Sequence, residues 1–240
     1  MEYFDFYLMR AQDGAVFEKY KKCRACETAL ELKAEGKIRH FGISFHDKAA
    51  VQDRILTEYP QIEAVQMQFN YLDYEDPSVE SRKVYETAVK HGKPVIVMEP
   101  IKGGSLVNLP PPAQEIFDGL HGGSDASYAL RFAAGFENMM MVLSGMSTLE
   151  QLKENVGFMA EPRPLSEREL EAVNKVRAVF SSLNMIPCTA CHSWAPFYRI
   201  PFIPSRRRAV CPSRCSPAGR RRARRRWDRC SSGGRRRCRG

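Results

Sequence analysis

Long apolar runs are missing from this sequence. No stretch approaches the ~18–20 consecutive apolar residues of a membrane span, so none is expected. The first residues, MEYFDFYLMR, carry no basic stretch ahead of an apolar core of the kind a secretory leader needs, and a cytoplasmic location is the expectation. Cysteine is absent between Cys26 and Cys188: two of the eight lie at Cys23 and Cys26 and six follow residue 187. That distribution argues against a disulfide framework in a chain of 240 residues and fits thiols or metal ligands in a reducing compartment. Lysine is absent from residues 205–240, and acid nearly so, Asp228 standing alone among 15 Arg.

That last absence reinterprets the net charge of +9. The segment 205–240 carries +14, which leaves 22 basic and 27 acidic residues elsewhere, a net of −5. Residues 1–204 are a mildly acidic globular sequence, and the basic character belongs to the tail. With 43% apolar residues, the chain can bury one sizeable core.

What is present is alternation. Short apolar strands are expected at Glu2–Met9, Ile38–Ser44, Glu63–Phe69, Pro94–Met98 and Met139–Leu143. Helices are expected at Val16–Ala34 (closed by Gly36), after an Asp47 N-cap through Ile55 and Leu56, and at Ser78–His91 behind Asp76-Pro77. Further helices are expected at Ser124–Ala134, Thr148–Met159 and Leu165–Leu183, with a Gly-rich exit at Lys102-Gly103-Gly104. Repeated βα units of about 30 residues imply a parallel sheet, in a barrel or a doubly wound fold, or simply a structural α/β domain.

In such folds chemistry sits at the C-terminal strand ends. These read Tyr7-Leu8-Met9-Arg10-Ala11, Gly42-Ile43-Ser44-Phe45-His46, Val65-Gln66-Met67-Gln68-Phe69-Asn70-Tyr71, Val97-Met98-Glu99-Pro100-Ile101-Lys102-Gly103, and Leu143-Ser144-Gly145-Met146 running on to Glu154-Asn155. In this order and spacing they resemble the aldo/keto reductase superfamily from its fourth barrel strand to its eighth. The closest resemblance is to the branch that appends a ferredoxin-like [4Fe–4S] segment. The fold implied is α/β: a partial (β/α)₈ TIM barrel at 1–160, a C-terminal helix with a degenerate ferredoxin-like segment at 161–204, and a disordered Arg-rich tail at 205–240.

The resemblance also implies a cofactor, NADP(H) or NAD(H), and a small carbonyl substrate. Ser44 and Gln66 match the residues that hold the nicotinamide carboxamide, a group needing one donor and one acceptor. Alternatively, Ser44 is a turn residue, whereas Gln66 interrupts an apolar strand and wants a partner. Met98 stands where the family places an aromatic on the nicotinamide ring, though Met in a strand is commonly core. Ile101, Gly103 and Gly145 match phosphate-holding loops, in which glycine also serves simply to turn the chain. Gln151 replaces an Arg that clamps the 2′-phosphate, and a neutral amide makes no such clamp. Glu154 and Asn155 match the adenine-contacting pair.

The same resemblance exposes gaps. The family's Tyr, Lys and Asp lie on its first three strand ends and have no counterpart here, where Tyr3, Tyr7 and Tyr20 do not fit their place. Arg10 replaces the catalytic His, and Arg cannot relay a proton near neutral pH. Cys188 and Cys191 open the cluster run C-x₂-C-x₂-C-x₃-C-P, but Trp194 and Tyr198 take the next two ligand positions and Arg199 that of the Pro. An incomplete cluster follows; Cys211 and Cys215 have an unmatched C-x₃-C spacing. Cys23 and Cys26 lie inside a helical pattern, which argues against a redox pair.

Two readings of the tail remain: a basic arm for nucleic acid or another polyanion, and the out-of-frame translation of a GC-rich gene. The second is favoured by Arg without Lys, and with it an expectation of a truncated, frame-shifted and catalytically impaired product. Open sheet edges are expected to promote self-association.

Overall fold

A computed structural model describes residues 2–161 and 163–183. Five strands alternate with helices: β1 (Phe4–Gln12), α1 (Gly14–Lys22), α2 (Ala25–Ala34), β2 (Ile38–Phe45), α3 (Ala49–Glu58), β3 (Ala64–Gln68), α4 (Ser81–Lys90) and β4 (Val95–Met98). Then follow α5 (Pro111–Asp118), α6 (Asp125–Ala134), β5 (Met139–Val142), α7 (Leu149–Ala160) and α8 (Glu167–Ser182).

All strand pairs are parallel, and their spatial order is their sequence order, β1 to β5. A doubly wound sheet reverses its order at a switch point. This sheet never reverses. With crossovers of one hand, such an order puts every helix on the same face, as in an arc of a barrel.

The register shows how the two faces differ. Met9, Ile43, Val65 and Val95 form one row across four strands, and each is buried. They join Phe17, Ile55, Leu56, Val84, Ala88, Phe132 and Ala133 of the helices in one core, with Val173, Val176 and Phe180 of α8. The next row, Ser44, Gln66, Ile96 and Met141, lies on the opposite face and takes no part in that cluster. Alternation along each strand thus gives the helices an apolar face and leaves a mixed inner face. Met141 on that inner face is 45% exposed.

Several expectations change. The helix expected over Val16–Ala34 is two helices, because Arg24 adopts a left-handed conformation (φ 54°) after α1 ends. Nine residues separate Phe17 from Cys26, about two and a half turns, so a straight helix would point them to opposite sides. The break lets both bury. Asp47 does not cap α3; Lys48 holds that position without a side-chain cap. Asp47 instead accepts hydrogen bonds from the N–H groups of Gly14 (2.9 Å) and Lys48 (2.8 Å), tying α1 to the end of β2.

The fourth helix begins at Ser81, not Ser78: Asp76 accepts from the Ser78 N–H at 2.6 Å in a local turn, and Glu80 is left-handed (φ 59°). The segment after β4, expected as a Gly-rich exit, also contains α5. Its prolines sit at the helix start, where no N–H is needed, and it buries Ala113 and Phe117. In α8, Ser166 and Glu169 form a capping box. No described helix is long and apolar enough to cross a membrane.

Candidate functional site

Because the sheet is parallel, the C-terminal ends of its strands open on one side. Gly42 sets the spacing there: a Cβ on it would lie 2.6 Å from the Ala64 carbonyl oxygen and 2.6 Å from Leu8. Glycine therefore lets β1, β2 and β3 close up just before Ser44. Ser44 pairs in register with Gln66, so the two side chains project from neighbouring strands to the same inner face. Ser44 is buried and Gln66 half-buried.

His46 lies two residues past Ser44, just beyond the end of β2. Its Nε2 lies 3.2 Å from Ser44 Oγ. Desolvation pulls the imidazole below its ordinary titration range, Glu99 and Asp13 push it back up, and Arg10 pulls it down. Those charges come from the ends of β1 and β4 and from the N-cap of α1. The residue is exposed at one side, and its ring is flanked by charges of both signs.

Met98 ends β4 opposite Gln68. The Gln68 amide donates to Asp73 Oδ2 at 2.5 Å, and the Asn70 amide donates to the same oxygen at 2.7 Å. Asn70 also donates to the Glu99 carbonyl at 3.1 Å, tying the exits of β3 and β4 together. Lys102 forms an ion pair with the buried Asp73 carboxylate. That pair pins the turn holding Ile101 and Gly103, in which Glu99, Lys102, Gly103 and Gly104 all have positive φ.

The last strand end is built differently. Asn155 donates to Ser144 Oγ at 3.2 Å, linking α7 to the loop after β5. Gln151 turns back on its own helix: its Oε1 accepts from the N–H groups of Ser147 (2.8 Å) and Thr148 (3.2 Å) in a capping box. Gly145 has open space around it, Glu154 is exposed, and α7 buries none of its residues. Cys188 and Cys191 lie outside the described residues, as does the Arg-rich tail.

The model of the Aldo/keto reductase family matches residues 1–178. This chain belongs to the aldo/keto reductase family. No curated protein matches it. Among solved structures, it resembles the aldo-keto reductase AKR11C1 from Bacillus halodurans in its holo form (23% identity, TM-score 0.55, 73% of this chain and 59% of that one). It also resembles an aldo/keto reductase from Klebsiella pneumoniae in complex with NADP and acetate (17% identity, TM-score 0.57, 74% and 60%). A third is from Brucella melitensis (21% identity, TM-score 0.54, 73% and 62%). The chain spans about three-fifths of the length of these structures, and at such identities the likeness concerns the fold: five parallel strands with helices, matching part of a TIM barrel.

In this aldo/keto reductase chain, the fold brings Ser44 and Gln66 side by side, with Met98, Ile101 and Gly103 at the next strand end. Gly145, Gln151, Glu154 and Asn155 belong to the final strand end and its helix. From the strand-end sequences alone, His46, Asn70 and Lys102 carry no assigned role, and Asp73 does not stand out. His46 had a usable signal, since it follows Ser44 by two residues where extended chain runs out of β2. Asp73 and Lys102 had none, being 29 residues apart and joined only by tertiary structure.

Proposed function

We propose that this chain holds the nicotinamide end of NADP(H) or NAD(H) on the strand ends of β2 to β4, and that it is impaired in hydride transfer to a small carbonyl substrate. The observation that carries the reading is the Ser44–Gln66 pair in register on the inner face. A hydroxyl and an amide so placed offer a donor and an acceptor to one planar carboxamide. The dinucleotide, when bound, supplies the hydride; the protein supplies orientation. Gln151 is engaged in its helix cap, so the choice between the two dinucleotides does not rest on a charge clamp.

Carbonyl reduction also needs a proton donor. No described tyrosine hydroxyl is hydrogen-bonded to a lysine: Tyr20 donates to the Arg10 carbonyl, Tyr59 to Glu27, and Tyr85 to the Glu137 carbonyl. The Tyr128 oxygen accepts from Gly122, and the Tyr71 hydroxyl is buried without a partner among the described residues. Arg10 carries a guanidinium, a group unsuited to relaying a proton. These features support an impaired turnover.

Fluorescence titration of the purified chain with NADPH and NADH tests the reading. Saturable binding is expected, weakened about tenfold by Ser44→Ala or Gln66→Leu, which corresponds to about 1.4 kcal/mol. No binding at millimolar dinucleotide would refute the cofactor site. Carbonyl-dependent oxidation of NADPH would overturn the impairment.

Descent from the iron–sulfur branch is proposed on Cys188 and Cys191 alone, and two thiolates do not fill a four-thiolate cluster. Iron and sulfide assays should find no cluster. A second reading, a polyanion-binding arm, rests on the 15 Arg of residues 205–240. Salt-dependent retardation of random DNA, lost on deleting 205–240, would support it, and unchanged mobility at low salt would remove it.

A further inference from the structure

Ser44 is a buried hydroxyl with one hydrogen-bonding neighbour among the described side chains, His46 Nε2 at 3.2 Å. A hydroxyl has one proton to give and lone pairs to offer. With His46 neutral and its proton on Nδ1, the Nε2 lone pair takes the Ser44 proton. The hydroxyl then has only lone pairs to present toward Gln66. The other tautomer, or a protonated ring, would donate to Ser44 and leave the buried Ser44 proton without an acceptor.

We propose that His46 is a positioning residue that makes Ser44 a hydrogen-bond acceptor, so that this site takes a primary carboxamide and discriminates against the corresponding carboxylate. The proposal rests on the cofactor reading above and deepens it. A carboxamide N–H meets the Ser44 lone pair while its carbonyl takes an N–H of the Gln66 amide. A carboxylate has no proton for Ser44 and sets oxygen against oxygen there.

The surroundings of His46 favour a neutral ring at neutral pH through desolvation, against two of its three charged neighbours. Desolvation lowers its titration, with Arg10 assisting and Glu99 and Asp13 opposing. On its own side of the sheet, the Asp47 carboxylate is engaged by backbone N–H groups, Lys48 Nζ donates to the carbonyls of Pro77 and Ser78, and Glu80 accepts from the Ala49 N–H. Protonation at acid pH reverses the hydrogen bond: Nε2–H donates, Ser44 recovers a free proton, and the imidazolium attracts a carboxylate.

The test compares NADP⁺ with its nicotinic-acid analogue, which differs only in carrying the carboxylate, by calorimetric titration of the full chain. At about pH 8 the amide form should bind tighter by about tenfold or more, and at a pH acid enough to protonate the ring, below the ordinary imidazole range, that preference should collapse. His46→Leu should lose most of the preference at both pH values. His46→Gln, whose side-chain oxygen can accept from Ser44, should keep the preference and lose its pH dependence. Thermal melts of both variants should match the parent, because the ring fills no part of the core. A preference unchanged in His46→Leu, or one that ignores pH in the parent, overturns the proposal while leaving the cofactor site standing. Binding of neither dinucleotide to the parent overturns both.

Discussion

Arg131 of α6 grips Glu169 of α8 with both prongs, Nη1 to Oε1 at 2.7 Å and Nη2 to Oε2 at 3.0 Å. The same guanidinium donates to the carbonyls of Arg163 and Pro164, and Glu169 also accepts from the Ser166 N–H at 2.8 Å. One ion pair thus completes a helix cap and seats α8 against the body of the fold. Both side chains are only 12–13% exposed.

Removing Arg131 should therefore cost more than a surface pair would. Arg131→Met leaves a nearly buried carboxylate with a single strong set of donors, and a loss of about 3 kcal/mol is expected in urea denaturation. Burial alone would raise Glu169, but Arg131 and Ser166 together hold it below the ordinary carboxylate range. Its stabilising contribution is accordingly complete above the unfolded-state value of about 4.3 and is lost as pH falls through the lower folded-state value. The acid limb of the stability profile should flatten in Glu169→Gln.

Gln52 on α3 is fully buried, and neither its amide nitrogen nor its oxygen has a hydrogen-bond partner among the described residues. Replacing it with Met removes two unsatisfied polar atoms at similar volume. A gain of about 1 kcal/mol in unfolding free energy is expected, and a loss would show that the amide is satisfied in solution.

Gly42→Ala should damage both fold and site. The added methyl meets backbone oxygen on one side and Leu8 on the other at 2.6 Å. About 1–3 kcal/mol of overpacking is expected by chemical denaturation. Dinucleotide affinity should fall further than in a core variant of equal stability, because the strain lies directly before Ser44.

Cys23 and Cys26 should behave as two unlike thiols rather than a redox couple. Cys23 is exposed, whereas Cys26 is buried and its thiol is pushed up to about 11 by desolvation, with Glu27 and Glu58 adding to the effect. Mass-mapped alkylation at neutral pH should label Cys23 at least about tenfold faster, since the thiolate is the nucleophile. Equal rates would contradict the burial.

The two edges of the sheet should make the chain self-associate. Among the described residues β1 and β5 each pair on one side only, and exposed Phe4, Phe6, Tyr7, Met140 and Met141 lie along them. Parallel edges of this kind suit a second copy, whose β5 can extend β1. Sedimentation velocity should show concentration-dependent dimers, and a monomer at all concentrations would remove the expectation.

The strands were legible because their burial is written in period: Met9, Ile43, Val65 and Val95 are apolar and also lie in one row. Ser44 and Gln66 were legible as residue types, and their adjacency followed once the register was known. The break at Arg24 was not, because a left-handed arginine carries no turn signature; only the conflict between Phe17 and Cys26 hints at it. α5 hid behind Pro110, Pro111 and Pro112, which read as loop although proline is at ease in a first helical turn. Asp73 and Lys102 stayed out of view because no local pattern links a carboxylate to an ammonium 29 residues away.

The inner face has a physical consequence of its own. A closed eight-strand ring surrounds its interior with protein, whereas the five described strands curve past Ser44 and Gln66 and leave Met141 half in water. Toward Met141, charges and dipoles on this face work against bulk dielectric, where each is worth a fraction of its value in a dry site. Recognition there must come from hydrogen-bond direction, which water weakens but does not reverse, rather than from field strength. On such a face, choosing a ligand by the direction of its hydrogen bonds demands less enclosure than stabilising charge in a reaction does.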